Sequence, residues 1–147
     1  MDRLLDAPRH LVFAVWTRPE HAARWWGPQN FMAISCVMDV RPGGAWRKVM
    51  RSTEGDVVIK IGVYREVVAP ERLVFTYRDE APDGTLTPET LVTVTFTEES
   101  GRTRLRLHQV GFEQPGPRDG HVGGWASTLE RLAYYLTECR RAEGQGG

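Results

Sequence analysis

DAPRHLVFAVWTRPEHAARWWGP, residues 6–28, is the stretch that decides the fold. Pro8 and Pro19 each stand where a helix begins, since a first turn has no use for the N–H that proline lacks. Val12, Val15 and Trp16 recur at helical spacing and give the first helix one buried face. The second helix ends at Trp25-Trp26-Gly27-Pro28, because glycine suits the residue just past a helix and proline forbids continuation. Two short helices closed by a tryptophan pair are therefore predicted directly after a short edge strand at residues 3–5.

Beyond this pair the period changes to two. Residues 34–40 read as strand, Arg41-Pro42-Gly43-Gly44 as a turn, and residues 46–50 as the returning strand of a hairpin. Residues 57–68 are rich in β-branched side chains, Pro70-Glu71 turns the chain, and residues 73–77 continue the meander. Pro82-Asp83-Gly84 marks another turn, after which residues 91–96 and 103–107 alternate as half-buried antiparallel strands do. From Arg118 the period is helical again, and Val122, Trp125, Leu129, Leu132, Ala133 and Leu136 fall on one stripe of a helix reaching about residue 140. That stripe needs the apolar face of the sheet to cover it. The order is strand, helix pair, antiparallel sheet, long helix: an α+β container. Residues 1–142 form one domain in this reading, and the glycine-rich tail 143–147 has nothing to bury and is expected to be disordered.

Composition narrows the partners. A chain of 147 residues with 41% hydrophobic and 26% charged content suits a single soluble domain. Lys plus Arg and Asp plus Glu number 19 each, so the chain as a whole offers no field that gathers nucleic acid or anionic lipid. Cys36 and Cys139 lie far apart without metal-binding spacing and read as free thiols of a cytoplasmic protein. Neither a secretory apolar segment nor a run of membrane-spanning length is present, so no membrane partner is expected.

The residues that usually carry chemistry lack a pattern. None of His10, His21, His108 and His121 has a partner at metal-cage spacing, so no metal site is predicted. Ser35, Ser52, Ser100 and Ser127 lack a nucleophile elbow, and the glycine-rich turns are not phosphate loops. No catalytic residue is assigned. Alternation places His108 with Arg104 and Arg106 on the solvent face. His121 opens the last helix beside Trp125, either as a surface cap or, at a cavity mouth, as a group that reads ligand protonation. The strip Arg41, Arg47, Lys48, Arg51 reads as an anion or partner patch or, by default, as a solvated outer sheet face, since alternation sets Arg47 and Arg51 opposite Trp46, Lys48 and Met50.

Six segments in register carry a resemblance: residues 6–28 above, RPGGAWRKVM (41–50), GVYREVVAPERLVFTY (62–77), TVTFTE (93–98), RLRLHQVGF (104–112) and HVGGWASTLERLAYYL (121–136). Together they resemble the heat-shock-protein-90 ATPase activator homology family of the START-like (SRPBCC) superfamily, over residues 3–136. The resemblance implies a helix-grip fold, in which a curved antiparallel sheet wraps a long C-terminal helix and leaves an apolar cavity between them. Aromatic side chains on a concave sheet either fill a core or line a small-molecule pocket, and the room implied by this fold favours the pocket. The predicted cavity wall is Trp25, Trp26, Phe31, Met38, Trp46, Met50, Tyr64, Phe75, Tyr77, His121, Trp125 and Leu129. Its expected occupant is a small hydrophobic or aromatic molecule, bound or sequestered without organic cofactor or metal. Two other functions are consistent with the resemblance. One is regulation of a chaperone, although the chain has no room for the extra N-terminal domain of eukaryotic activators. The other is an aromatase- or cyclase-like enzyme, which requires a titratable group inside the cavity with a displaced pKa.

Overall fold

The computed structural model describes residues 1–27, 30–111 and 115–146, with side chains described for all of these except 115–124 and 142–146. β1 (Asp2–Leu5), α1 (Arg9–Thr17) and α2 (Pro19–Trp25) come first. The meander β2 (Phe31–Met38), β3 (Ala45–Ser52), β4 (Val57–Val68), β5 (Arg72–Glu80), β6 (Thr90–Glu99) and β7 (Arg102–Val110) follows, and α3 (Pro115–Gly146) closes the chain. Hairpin connections keep β2 to β7 in sequence order, and β1 adds itself beside β7 to give one curved antiparallel sheet ordered β1-β7-β6-β5-β4-β3-β2. Buried side chains of all three helices share one apolar core with the inward side chains of the sheet, as in a helix-grip architecture. The tail expected at 143–147 and the domain boundary drawn at 142 lie outside the residues with described side chains.

The helix pair forms for the local reasons its sequence states. Pro19 occupies the first turn of α2, whereas Pro8 sits one position earlier than a first-turn proline, as the N-cap of α1. Gly27 follows the α2 C-cap Trp26 with φ of 98°, a left-handed conformation that glycine adopts without strain. The tryptophans then lock the two helices together. Trp25 Nε1 donates to the Val15 carbonyl at 3.0 Å, and Trp16 meets the Trp25 ring edge-on at 4.8 Å.

The predicted stripe of α3 is buried at Trp125, Leu129, Leu132 and Leu136, against inward residues of the sheet that include Leu73, Val94, Phe96 and Leu105. A chain of hydrogen bonds fixes its height on the sheet. Trp125 Nε1 donates to Gln109 Oε1 (2.9 Å), Gln109 Nε2 to Thr90 Oγ1 (2.8 Å), and the Thr90 hydroxyl to the Tyr77 carbonyl (2.8 Å). α3 is thus tied through β7 and β6 to β5. Farther along, Arg131 Nη1 donates to the carbonyls of Gly27 (2.9 Å) and Phe31 (3.0 Å), and Arg140 Nη1 to that of Asp6 (2.9 Å).

Gly62 on β4 pairs with Trp46 on β3, and the indole lies directly over it. A Cβ at this position would fall 1.8 Å from the Thr76 carbonyl oxygen and 2.5 Å from Trp46 Nε1, and the first of these is backbone that cannot step aside. Gly62→Ala should therefore cost at least about 1–3 kcal/mol, the range for forced overpacking. Denaturant unfolding checks this, and an unchanged midpoint would show that the indole does not sit against β4.

The two sheet edges differ in character. At β1 the edge is four residues long and charged, with Asp2 bridging Arg104 (3.0 Å) and Arg106 (3.2 Å). β2 at the other edge carries no charged residue and exposes Met32, Ile34 and Val37 by 70%, 52% and 63%.

Candidate functional site

The inner face of β3, β4 and β5 under α3 gathers most of the predicted wall. On β3 the side chains alternate strictly, with Trp46, Lys48 and Met50 buried and Ala45, Arg47 and Arg51 exposed. Trp26 from the end of α2 is the hub. Its ring lies 5.9 Å from Trp46, 6.4 Å from Phe75 and 5.3 Å from Trp125. Tyr77 closes the ring of contacts, 5.6 Å from Trp46 and 5.8 Å from Trp125. Tyr64 joins through Phe75 at 5.9 Å, and Trp25 through Trp26 at 5.4 Å. Met38 pairs across from Trp46, Met50 packs close to Gly27, Phe31 is partly buried against the same core, and Leu129 is fully buried. His121 lies outside the residues with described side chains. His108 is exposed, as alternation requires.

One occupant of this apolar face is a cation. Lys48 is 2% exposed, although lysine is almost never fully buried without a partner. Its Nζ sits 3.5 Å from the centre of the Trp26 ring and 4.5 Å from that of Trp46, so two π-faces stand where water would otherwise be. Among the described residues it has no ion pair. Burial lowers its pKa to about 7, against which the nearby Cys36 thiol gives a small opposite push. The solvated strip read from sequence is corrected here. Arg41, Arg47 and Arg51 are exposed, but Lys48 is not part of that surface.

Register extends the polar feature across four strands. Cys36 on β2 pairs with Lys48, Lys48 with Lys60 on β4, and Lys60 with Asp79 on β5, and directly opposed residues share a face. The result is a row of thiol, amine, amine and carboxylate across an otherwise apolar concavity. Lys60 forms an ion pair with Asp79 and lies over the Tyr77 ring at 5.7 Å. Burial pushes the Cys36 thiol up and holds the phenols of Tyr64 and Tyr77 far above their ordinary range, so both tyrosines stay protonated. No cluster of three or more His, Cys, Asp or Glu side chains suited to a metal occurs among the described residues.

The family described as Activator of Hsp90 ATPase homolog 1-like protein matches residues 6–137, which include every strand from β2 to β7 and the whole helix stripe. The chain belongs to this family. Solved structures agree. A protein from Nitrosomonas europaea is 27% identical, with a TM-score of 0.78 over 96% of this chain and 94% of that one. The AHSA1 protein from Silicibacter pomeroyi is 25% identical, with a TM-score of 0.83 over 93% and 95%. One from Chromobacterium violaceum is 28% identical, with a TM-score of 0.76 over 91% and 93%. No curated protein matches the chain.

Within this member of the activator homolog family, Lys48 and its row are what reading the sequence for function missed. Two signals pointed to them. Alternation already set Lys48 beside Trp46 and Met50, and the chain contains only two lysines, both in this row. No helix among the described residues is long and apolar enough to cross a membrane.

Proposed function

We propose that this chain binds a small molecule with a flat, apolar body on the inner face of its sheet, between β3–β5 and α3. The observation that carries the reading is Lys48. A core that served stability alone would gain by replacing a buried amine without a counter-ion with an aliphatic side chain, because desolvating a charge is costly. Perturbed titratable groups in apolar surroundings gather at functional sites for the same reason. The tryptophans around the amine offer stacking area for planar ligands.

The test is titration with 2-methylnaphthalene, a flat hydrocarbon. It should bind at one-to-one stoichiometry, quench tryptophan fluorescence and show a negative heat-capacity change. Met50→Trp places an extra ring on the same face and should weaken binding at least about tenfold while the chain still folds, since overpacking costs about 1–3 kcal/mol. Equal affinity in a folded Met50→Trp chain would place the ligand elsewhere, and absence of binding by the parent would end the ligand reading.

A second reading is association with a chaperone of the Hsp90 type, as the family description states for the activator it is named after. The uncharged, apolar β2 edge is the feature that favours it. Stimulation of a purified Hsp90-type ATPase, lost on placing lysine at Ile34 and Val37, is its expected sign. An unstimulated ATPase would remove it.

A further inference from the structure

The polar row of the inner face holds both lysines of the chain, while every other Lys- or Arg-type cation is arginine. The distinction is chemical. Arginine supplies charge at any physiological pH but never a neutral nitrogen, whereas a buried lysine readily does. The two amines also differ from each other. Lys60 forms an ion pair with the Asp79 carboxylate, while Lys48 faces the rings of Trp26 and Trp46 and has no ion pair among the described residues. A lysine desolvated in an apolar site beside a second cation is the arrangement that makes an amine a nucleophile.

We propose that Lys48 captures carbonyl compounds, its amine condensing with an aldehyde or ketone group on the flat apolar ligand to form an imine. This rests on the ligand reading above and names the ligand's reactive group. The Lys48 nitrogen adds to the carbonyl carbon and one of its N–H protons passes to the carbonyl oxygen; the second N–H proton then joins that hydroxyl as it leaves as water, and the nitrogen lone pair closes the C=N bond. Nothing is oxidised or reduced. The free base is available at neutral pH because burial holds the amine near pH 7.

Among the described residues, the groups facing it do not reverse this. Cys36 opposes Lys48 from β2 with its thiol pushed up by burial, and so stays neutral. From β4 come Lys60 and the protonated Tyr64, and from β5 the protonated Tyr77 and Asp79, the last in an ion pair with Lys60. From α3, Arg131 directs Nη1 to the carbonyls of Gly27 and Phe31.

The chain has three amines, Lys48, Lys60 and the N-terminus, so labelling can be read site by site. Incubation with 2-naphthaldehyde and cyanoborohydride at pH 7, followed by peptide mass spectrometry, should label Lys48 at least about tenfold more than Lys60. An ordinary lysine is less than about one part in a thousand free base at that pH. Excess 2-methylnaphthalene should suppress the Lys48 adduct and leave that of the N-terminus unchanged, and labelling should rise through about pH 7 and then level off. Lys48→Met and Lys48→Arg should both lose the adduct at position 48 while the labelling of the N-terminus is unchanged. Naphthaldehyde that quenches and competes yet leaves no adduct on Lys48 would overturn the carbonyl proposal and leave the ligand reading standing. Labelling spread evenly over Lys48 and Lys60 would overturn it too. If neither naphthalene binds, the proposal and the ligand reading fall together.

Discussion

Replacing Lys48 with methionine should make the protein more stable at pH 7 and flatten its stability between pH 7 and 10. The folded chain disfavours the ammonium, lowering its pKa from 10.5 to about 7, so between those values the unfolded chain binds more protons. Stability of the parent therefore rises with pH across that window, by up to about 1.4 kcal/mol per unit from this group. Below about pH 7 both states carry the proton and the penalty is constant. Methionine has similar length and no charge, so Lys48→Met should gain about 1–4 kcal/mol at pH 7, comparable to gains seen when buried charges give way to apolar side chains. Urea unfolding of both proteins at pH 6, 7, 8 and 9 reads the difference. Parallel pH profiles would mean that the amine is solvated in the folded chain and that the site loses its main argument.

Trp125→Ala should have the opposite sign and a similar size, a loss of about 3–5 kcal/mol, the range for deleting a large buried aromatic. Three features of its surroundings set that magnitude. The ring is 6% exposed, it contacts Trp16, Trp26 and Tyr77, and its N–H heads the relay through Gln109 and Thr90. Alanine leaves a void under α3 and takes the donor from Gln109 Oε1. Against a total near 5–15 kcal/mol, the variant should unfold at markedly lower denaturant concentration. A loss below about 1 kcal/mol, the size of ordinary surface changes, would show that α3 is not anchored there.

Much of this architecture is legible in the sequence because each element obeys a local rule. Pro19 and Gly27 punctuate α2 through backbone chemistry alone, and the stripe Trp125, Leu129, Leu132, Leu136 needs only a 3.6-residue period to declare its buried face. Where an element departs from its pattern, the reading slips. β2 begins at Phe31, three residues before the first β-branched signal, and its register shifts between Ala33 and Ser35, which blurs the alternation. Lys48 failed for a different reason. Charge in a strand ordinarily means solvent, and that prior outweighed a parity argument that placed the residue correctly beside Trp46. The neighbours that make Lys48 unusual come from α2 and β4, remote in sequence, and no local pattern announces them.

The contrast between the two sheet edges bears on self-association. Backbone groups on an open edge strand are templates for another copy, and charge and brevity blunt that tendency at β1. β2 keeps it, with three apolar side chains outward and no charge. A molecule with one sticky edge and one blocked edge has a natural limit on growth. Joining β2 to β2 consumes both competent edges in a two-fold pair and leaves only β1 outside, whereas a fibre needs an open edge at both ends of every subunit. With the charged knot at Asp2, Arg104 and Arg106 on the other edge, such pairing would stop at two copies.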